Sequence, residues 1–276
     1  MRAMRQLSVA AICLAGLAGC VAVDISAQSE RARGSFERTL TVNGPVDLSV
    51  RTGSGDIQIR AGGGDRVQVI GRISASRSWN SSESPADRVR RIEAAPPITQ
   101  DGNIIAIGQT RGDDTYNNVS ITYELVVPAN TQVTASTGSG DQTIGSLDGA
   151  VRARTGSGDI RVERAGGSLH AQTGSGSIRV ASVGGEIRAQ TGSGDVQLAQ
   201  MARADVSVQT GSGDVVLQLP PDAAYSLDAS TGSGSINTAQ PITMQGRIRR
   251  NRVQGTVRGG GNLVRVRTGS GSIDIR

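Results

Sequence analysis

The tetrapeptide Thr-Gly-Ser-Gly begins at Thr52, Thr137, Thr155, Thr173, Thr191, Thr210, Thr231 and Thr268. From Thr137 onward the steps are 18, 18, 18, 19, 21 and 37 residues, the last close to two periods. A fixed period near 18 means stacked repeats, each too small to bury its own apolar face. Apolar residues alternate before each Thr, as in Val151/Ala153 and Ile187/Ala189, and after it, as in Ile160/Val162 and Val196/Leu198. Period two is the signature of a half-buried strand. The inward parity breaks across Gly-Ser-Gly, so the chain turns or bulges there on glycine. A second corner follows at Gly166-Gly167 and Gly184-Gly185, with Asp148-Gly149 as a variant. These features predict an all-β fold, a β-solenoid (parallel β-helix) with coils of about 18 residues stacked roughly 4.8 Å apart. Like residues then stack on like, and a buried corner Thr needs a hydrogen-bond partner in the neighbouring coil.

The ends read differently. Arg2 and Arg5 precede an apolar run from Leu7 to Leu17, too short to span a bilayer and suited to a signal-peptide core. The run closes on Leu17-Ala18-Gly19-Cys20, which resembles the lipobox of bacterial lipoproteins. That resemblance implies a signal peptide at 1–19, acylation of Cys20 with chains such as palmitate, and a membrane contact through that lipid. It implies a cell-envelope address, at the outer membrane in a Gram-negative host, because Val21 is not Asp. Residues 20–34 read as a tether. Cys13 leaves with the signal peptide, so no disulfide or cysteine metal site is expected.

Residues 35–132 break the period and read as irregular first coils with a cap. Ser84-Pro85-Ala86-Asp87 carries helix-start chemistry, with Ser as N-cap and Pro in the first turn. One short helix to about Ala94 would place Val89 and Ile92 on one face. Val119 to Val127 is an alternating strand stopped by Pro128. Residues 133–276 form the regular repeats. Their end at Arg276, just after Ile273 and Ile275, predicts an open coil that self-associates or meets a partner.

Candidate chemistry is sparse. Asp56, Asp141, Asp159, Asp195 and Asp214 follow the corner, with Ser177, Ser235 and Ser272 in the same place elsewhere. Calcium-binding β-rolls have similar coils, but their Asp spacing differs and a ladder broken by Ser is a poor carboxylate supply. The corner acids read instead as caps on backbone N–H groups. No metal or cofactor is expected. His170, the lone histidine, reads as an exposed residue, and no nucleophile or catalytic acid is positioned beside it. Lysine is absent, so the glycine corners are not phosphate loops. Five aromatic residues are too few for base stacking, and no nucleic-acid partner is expected. One stretch stands out as a candidate anion-binding patch: Arg247, Arg249, Arg250, Arg252, Arg258, Arg265 and Arg267 lie between Asp228 and Asp274 with no acid among them.

The Thr-Gly-Ser-Gly-Asp-Ile/Val repeats, the Gly-Gly half-corners and the run from Gly259 to Ile273 resemble a bacterial family labelled putative adhesins, over roughly residues 40–276. The resemblance implies an envelope or secreted protein with a single-stranded, right-handed β-helix and no catalytic residues. The expected function is a non-enzymatic, lipid-anchored adhesion or scaffold surface. Its partner would be an envelope glycan, lipopolysaccharide or protein. An accessory protein-binding module of envelope sensing is the second reading. A glycan-active enzyme is the third, and it would require carboxylates converging in one groove.

Overall fold

A computed structural model describes residues 31–62, 64–77, 83–108, 116–244 and 251–276. Strands β1 (Arg31–Thr41), β2 (Asp47–Ser54), β3 (Ile57–Ala61) and β4 (Arg66–Ser76) precede the helix α1 (Pro85–Ala94). Then come β5 (Ile98–Asp101), β6 (Ile104–Gly108) and β7 (Val119–Val127). Five regular coils follow. They are β8 (Gln132–Ser139) with β9 (Gln142–Leu147), β10 (Val151–Ser157) with β11 (Ile160–Ala165), and β12 (Leu169–Ser175) with β13 (Ile178–Val183). The fourth and fifth are β14 (Ile187–Ser193) with β15 (Val196–Gln200), and β16 (Val206–Ser212) with β17 (Val215–Gln218). Last are β18 (Tyr225–Ser233), β19 (Ile236–Thr238), β20 (Thr243–Met244), β21 (Arg252–Val257), β22 (Asn262–Ser270) and β23 (Ile273–Ile275).

The all-β solenoid expected from the period is the fold seen. The strands form two largely parallel sheets, one of 12 strands and one of 11. Every Thr-Gly-Ser segment ends a strand of the first, here the threonine sheet, and the residues after the corner open a strand of the second. Corner threonines pair with each other in register, as in Thr155 with Thr137 and Thr173. The inward pairs read from the sequence are buried, from Leu48 and Val50 to Ile273 and Ile275. Besides the corner threonines, two glutamines are buried: Gln142 donates through Nε2 to the Arg154 carbonyl at 2.6 Å and Gln200 through Nε2 to the Gly185 carbonyl at 2.8 Å.

Chain order and spatial order part at both ends. β22 lies between β16 and β18, parallel to both, and β23 lies between β17 and β19. The 37-residue step is therefore not two successive coils. β18 and β19 are laid one coil too far out, β21 runs back antiparallel on β18 with β20 antiparallel to β21 beyond it, and β22 and β23 fill the gap. This corrects the expectation of an open coil at Ile273 and Ile275, which are covered by a coil on each side. At the other end β2 lies between β6 and β8, and β3 between β7 and β9. The coil of β6 and β7 thus sits outside the first coil made.

Antiparallel strands finish that end: β5 on β6, and β4 then β1 beyond β7. β1 begins at Arg31, so the last four residues assigned to the tether are strand. The helix packs on β1 and β4, and Ser84 Oγ accepts the Asp87 N–H as expected of an N-cap. Val89 and Ile92 are buried, and so is Arg88, which the sequence analysis did not single out. Arg88 donates to the Ser76 and Asn117 carbonyls, tying the helix to the end of β4.

Candidate functional site

The corners are stitched from coil to coil. Each corner Thr hydroxyl reaches a carbonyl of the adjacent coil: Thr155 to Gly140 at 3.1 Å, Thr173 to Gly158 at 2.9 Å, and Thr268 to Gly213 at 3.0 Å. The corner acids bond in the opposite direction along the stack. Asp141 Oδ1 accepts the Asp159 N–H at 2.8 Å, Asp159 Oδ1 accepts Ser177 N–H at 2.8 Å, and Asp214 Oδ1 accepts Ser272 N–H at 2.7 Å. The second oxygen of Asp159 meets Arg161 at 2.7 Å and Arg179 at 3.5 Å. The capping read from the sequence is thus a bond between coils, and it occupies oxygens that a cation ladder would use. Among the described residues no cluster of three or more metal-ligating side chains occurs.

The glycines are set by the same close stacking. Gly158 has φ +142°, and an added Cβ would stand 2.1 Å from the Gly140 carbonyl. The first glycine of the corner, Gly156, is outside the positive-φ set, yet its Cβ would stand 2.5 Å from the Gly138 carbonyl. A left-handed angle at Gly156 or Gly192 is therefore not the constraint at those positions; the carbonyl of the adjacent coil is.

The second sheet carries an open groove of about 410 Å³. Arg161, Glu163, Arg179, Gln197 and Gln218 line it, and Ala181 and Ala199 make it concave. Glu163 is its one carboxylate, with Ser146 Oγ at 3.3 Å. Two converging carboxylates, the arrangement a glycan-cleaving reading needs, are not brought together in this groove.

The arginine patch is partly dispersed. Arg247, Arg249 and Arg250, like Cys20, lie outside the described residues. Arg258 belongs to a loop, where it donates to the Pro221 carbonyl at 2.5 Å and has φ 49°. Arg252, Arg265 and Arg267 do converge, but on an acid. Asp228 lies 3.1 Å from Arg252 and 3.7 Å from each of the other two, with its side chain 15% exposed. The sequence reading missed this neutralisation because Asp228 sits on β18, and only the inserted coil brings β22 beside it.

What the sequence did not single out is the outer face of the threonine sheet. Two columns run across its coils. One carries Arg152, His170 and Arg188 in register; the other carries Arg154, Gln172 and Gln190, followed by Gln209. From β8 through β16 these columns hold three arginines and no carboxylate. His170 is half-buried rather than exposed. Burial, and then Arg154, Arg152 and Arg188, hold its pKa below the usual imidazole value.

A family model described as Toastrack DUF4097 matches residues 25–276. Among solved structures, a putative cell adhesion protein from Clostridium sporogenes ATCC 15579 is 16% identical with a TM-score of 0.39, over 88% of this chain and 99% of that one. A putative adhesin from Bacteroides fragilis NCTC 9343 is 12% identical with a TM-score of 0.44, over 88% and 97%. A putative adhesin from Parabacteroides distasonis ATCC 8503 is 9% identical with a TM-score of 0.35, over 88% and 97%. No curated protein matches the chain.

Proposed function

Since the chain belongs to the Toastrack DUF4097 family, we propose that it is a non-enzymatic, lipid-anchored surface of the cell envelope, serving adhesion or scaffolding. The observation that carries this reading is the outer face of the threonine sheet. Stacking presents the same polar positions once per coil, Arg152, His170 and Arg188 in one column and Arg154, Gln172 and Gln190 in the next. Such a face repeats a contact along an extended ligand. It offers no converging acid and base, and the groove on the other sheet holds a single carboxylate. Among the described residues no helix is long and apolar enough to cross a membrane. The lipobox ending at Cys20 supplies the anchor in this reading, with several acyl chains because a single chain binds only weakly.

The test has two arms. Fractionation of cells carrying the native chain and a Cys20→Ser variant should place the native protein with membranes and release the variant. Undiminished membrane retention of an unacylated variant removes the anchor. Cells with and without the protein are then compared for attachment to surfaces coated with envelope material. Equal attachment removes the adhesion role.

A further inference from the structure

We infer that the outer face of the threonine sheet, centred on Arg152, Arg154 and Arg188, binds a linear acidic polysaccharide. The inference deepens the adhesion reading by naming a ligand class, and it rests on that reading for its cellular setting only. Three properties of the face carry it. The first is charge. Arg152 and Arg154 are exposed and have no carboxylate partner among the described residues. Arg188 pairs with Glu186 at 2.9 Å, at the margin of the face. The next acid along that margin, Asp205, is occupied by the Leu263 N–H at 2.9 Å and by Asn262. The second sheet is different: there Arg161 and Arg179 are already paired with Asp141 and Asp159. Between β8 and β16 the two faces are therefore electrostatically unlike, and Arg152 and Arg154 on the threonine sheet are the cations without a carboxylate partner among the described residues.

The second property is the chemistry between the arginines. Gln172, Gln190 and Gln209 stand in register one coil apart, and none of their amides has a protein hydrogen-bond partner among the described residues. An amide both donates and accepts, as a sugar hydroxyl does. Arginine forks onto a carboxylate with two parallel bonds. Two adjacent columns, one holding Arg152, His170 and Arg188 and the other Arg154 and then the three glutamines, present these groups at roughly 4.8 Å steps and suit a polymer bearing hydroxyls and carboxylates along an extended chain.

The third property separates this ligand from other polyanions. Docking on a lipid surface draws on buried apolar area as well as charge. Between β8 and β16 the outward positions of the two columns are Thr, Ser, Arg, His and Gln, with no apolar side chain among them. Single-stranded nucleic acid needs aromatic platforms, which the face also lacks.

The experiment uses the full chain with Cys20→Ser, so that no acyl group inserts into vesicles. The probes are polygalacturonate, its methyl ester, and vesicles containing phosphatidylglycerol, all read by isothermal titration. Polygalacturonate should bind and its uncharged ester should not. Arg152→Gln/Arg154→Gln/Arg188→Gln should weaken binding by at least about tenfold with the melting temperature unchanged, whereas Arg161→Gln/Arg179→Gln should not weaken it. Should the triple variant fold poorly, Arg154→Gln alone should still weaken binding several-fold. Gln190→Ala leaves the charge intact and should also weaken it. No binding of polygalacturonate, or equal binding by the triple variant, overturns the inference. So does arginine-dependent binding of the vesicles that matches the polysaccharide, which would assign the face to membrane phosphates. An unaffected Gln190→Ala variant overturns sugar recognition in favour of charge alone. None of these results bears on membrane retention through Cys20, so the anchor stands or falls separately.

Discussion

The Asp159 carboxylate accepts the backbone N–H of Ser177 at 2.8 Å, across the gap between one coil and the next. The same carboxylate meets Arg161 at 2.7 Å and Arg179 at 3.5 Å. A serine in its place has a shorter reach and no charge. Ser177 stands at the equivalent site of the next coil, which by itself suggests that Asp159→Ser costs little. The bond between coils changes that expectation. Asp159→Ser and Asp159→Ala should each lower stability by about 1–2 kcal/mol, the value of a charge-assisted bond with little added by exposed ion pairs. Urea denaturation reads the difference, and a loss under a few tenths would defeat it. Calcium should leave the melting temperature of the native chain unchanged.

The glycines separate strain from space. Gly64 has φ +62° with nothing near a built Cβ, Gly156 has a clash without the positive angle, and Gly158 has both. Alanine should cost about 1–2 kcal/mol at Gly64, about 1–3 at Gly156, and roughly the sum at Gly158. Equal effects at all three would show that close stacking is not what selects glycine.

Tyr123 is buried beside Phe36, their rings edge to face at 6.4 Å. Its hydroxyl has no hydrogen-bond partner among the described residues, and burial raises its pKa well above the ordinary phenol value. Tyr123→Phe removes an unpaired polar atom and keeps the ring. The variant should match or exceed the parent, by up to about 1–2 kcal/mol. A clear loss in thermal or urea denaturation would mean the hydroxyl has a partner after all.

His170 makes the stack sensitive to mild acid. Its folded pKa is depressed by burial and by three neighbouring arginines, so the unfolded chain takes up the proton first. Its contribution is complete above the ordinary imidazole pKa of about 6.5 and is lost as pH falls below that value. The melting temperature should fall more steeply below pH 6.5 in the native chain than in His170→Gln. Parallel curves for the two proteins from pH 8 to pH 5 would contradict this.

Crosslinking reads the coil order directly. Ser207 and Arg265 are register partners, whereas Asp228 lies one coil beyond Arg265. In a Cys20→Ser background, Ser207→Cys/Arg265→Cys should oxidise to a disulfide, because adjacent parallel strands fall within the permitted Cα separation. Ser207→Cys/Asp228→Cys, about 10 Å apart by the same spacing, should not. The reverse result would restore the order of the sequence.

Much of this arrangement was legible in the repeat. Alternation located the strands, the Thr-Gly-Ser-Gly corners located the turns, and Ser84-Pro85 located the helix, because each is a local rule of backbone and side-chain geometry. The coil order was not legible. β18 and β22 each offer β16 an inward apolar pair, Leu227/Ala229 or Val264/Val266, before the same corner, so periodicity cannot say which one it pairs with. Everything that depends on this order was hidden with it, including the meeting of Asp228 with Arg265 and Arg267. Arg88 was missed for another reason. Its burial rests on two carbonyls from distant segments, and helix periodicity alone places arginine outward. The arginine columns of the threonine sheet were visible as residues, but nothing in a linear reading separates a paired arginine such as Arg161 from an unpaired one such as Arg154.

The position of residues 262–276 has a consequence for how the molecule is made. A ribosome releases residues 225–238 before it releases the segment that will separate them from β16 and β17. Most solenoids can grow by adding each course to the one beneath it. Here β18 must either wait at a distance or pair with β16 first and later give way, since the two share corner and register. Growth by simple accretion stops at Gln218, and the final order of the remaining strands is reached only once β22 and β23 are in place.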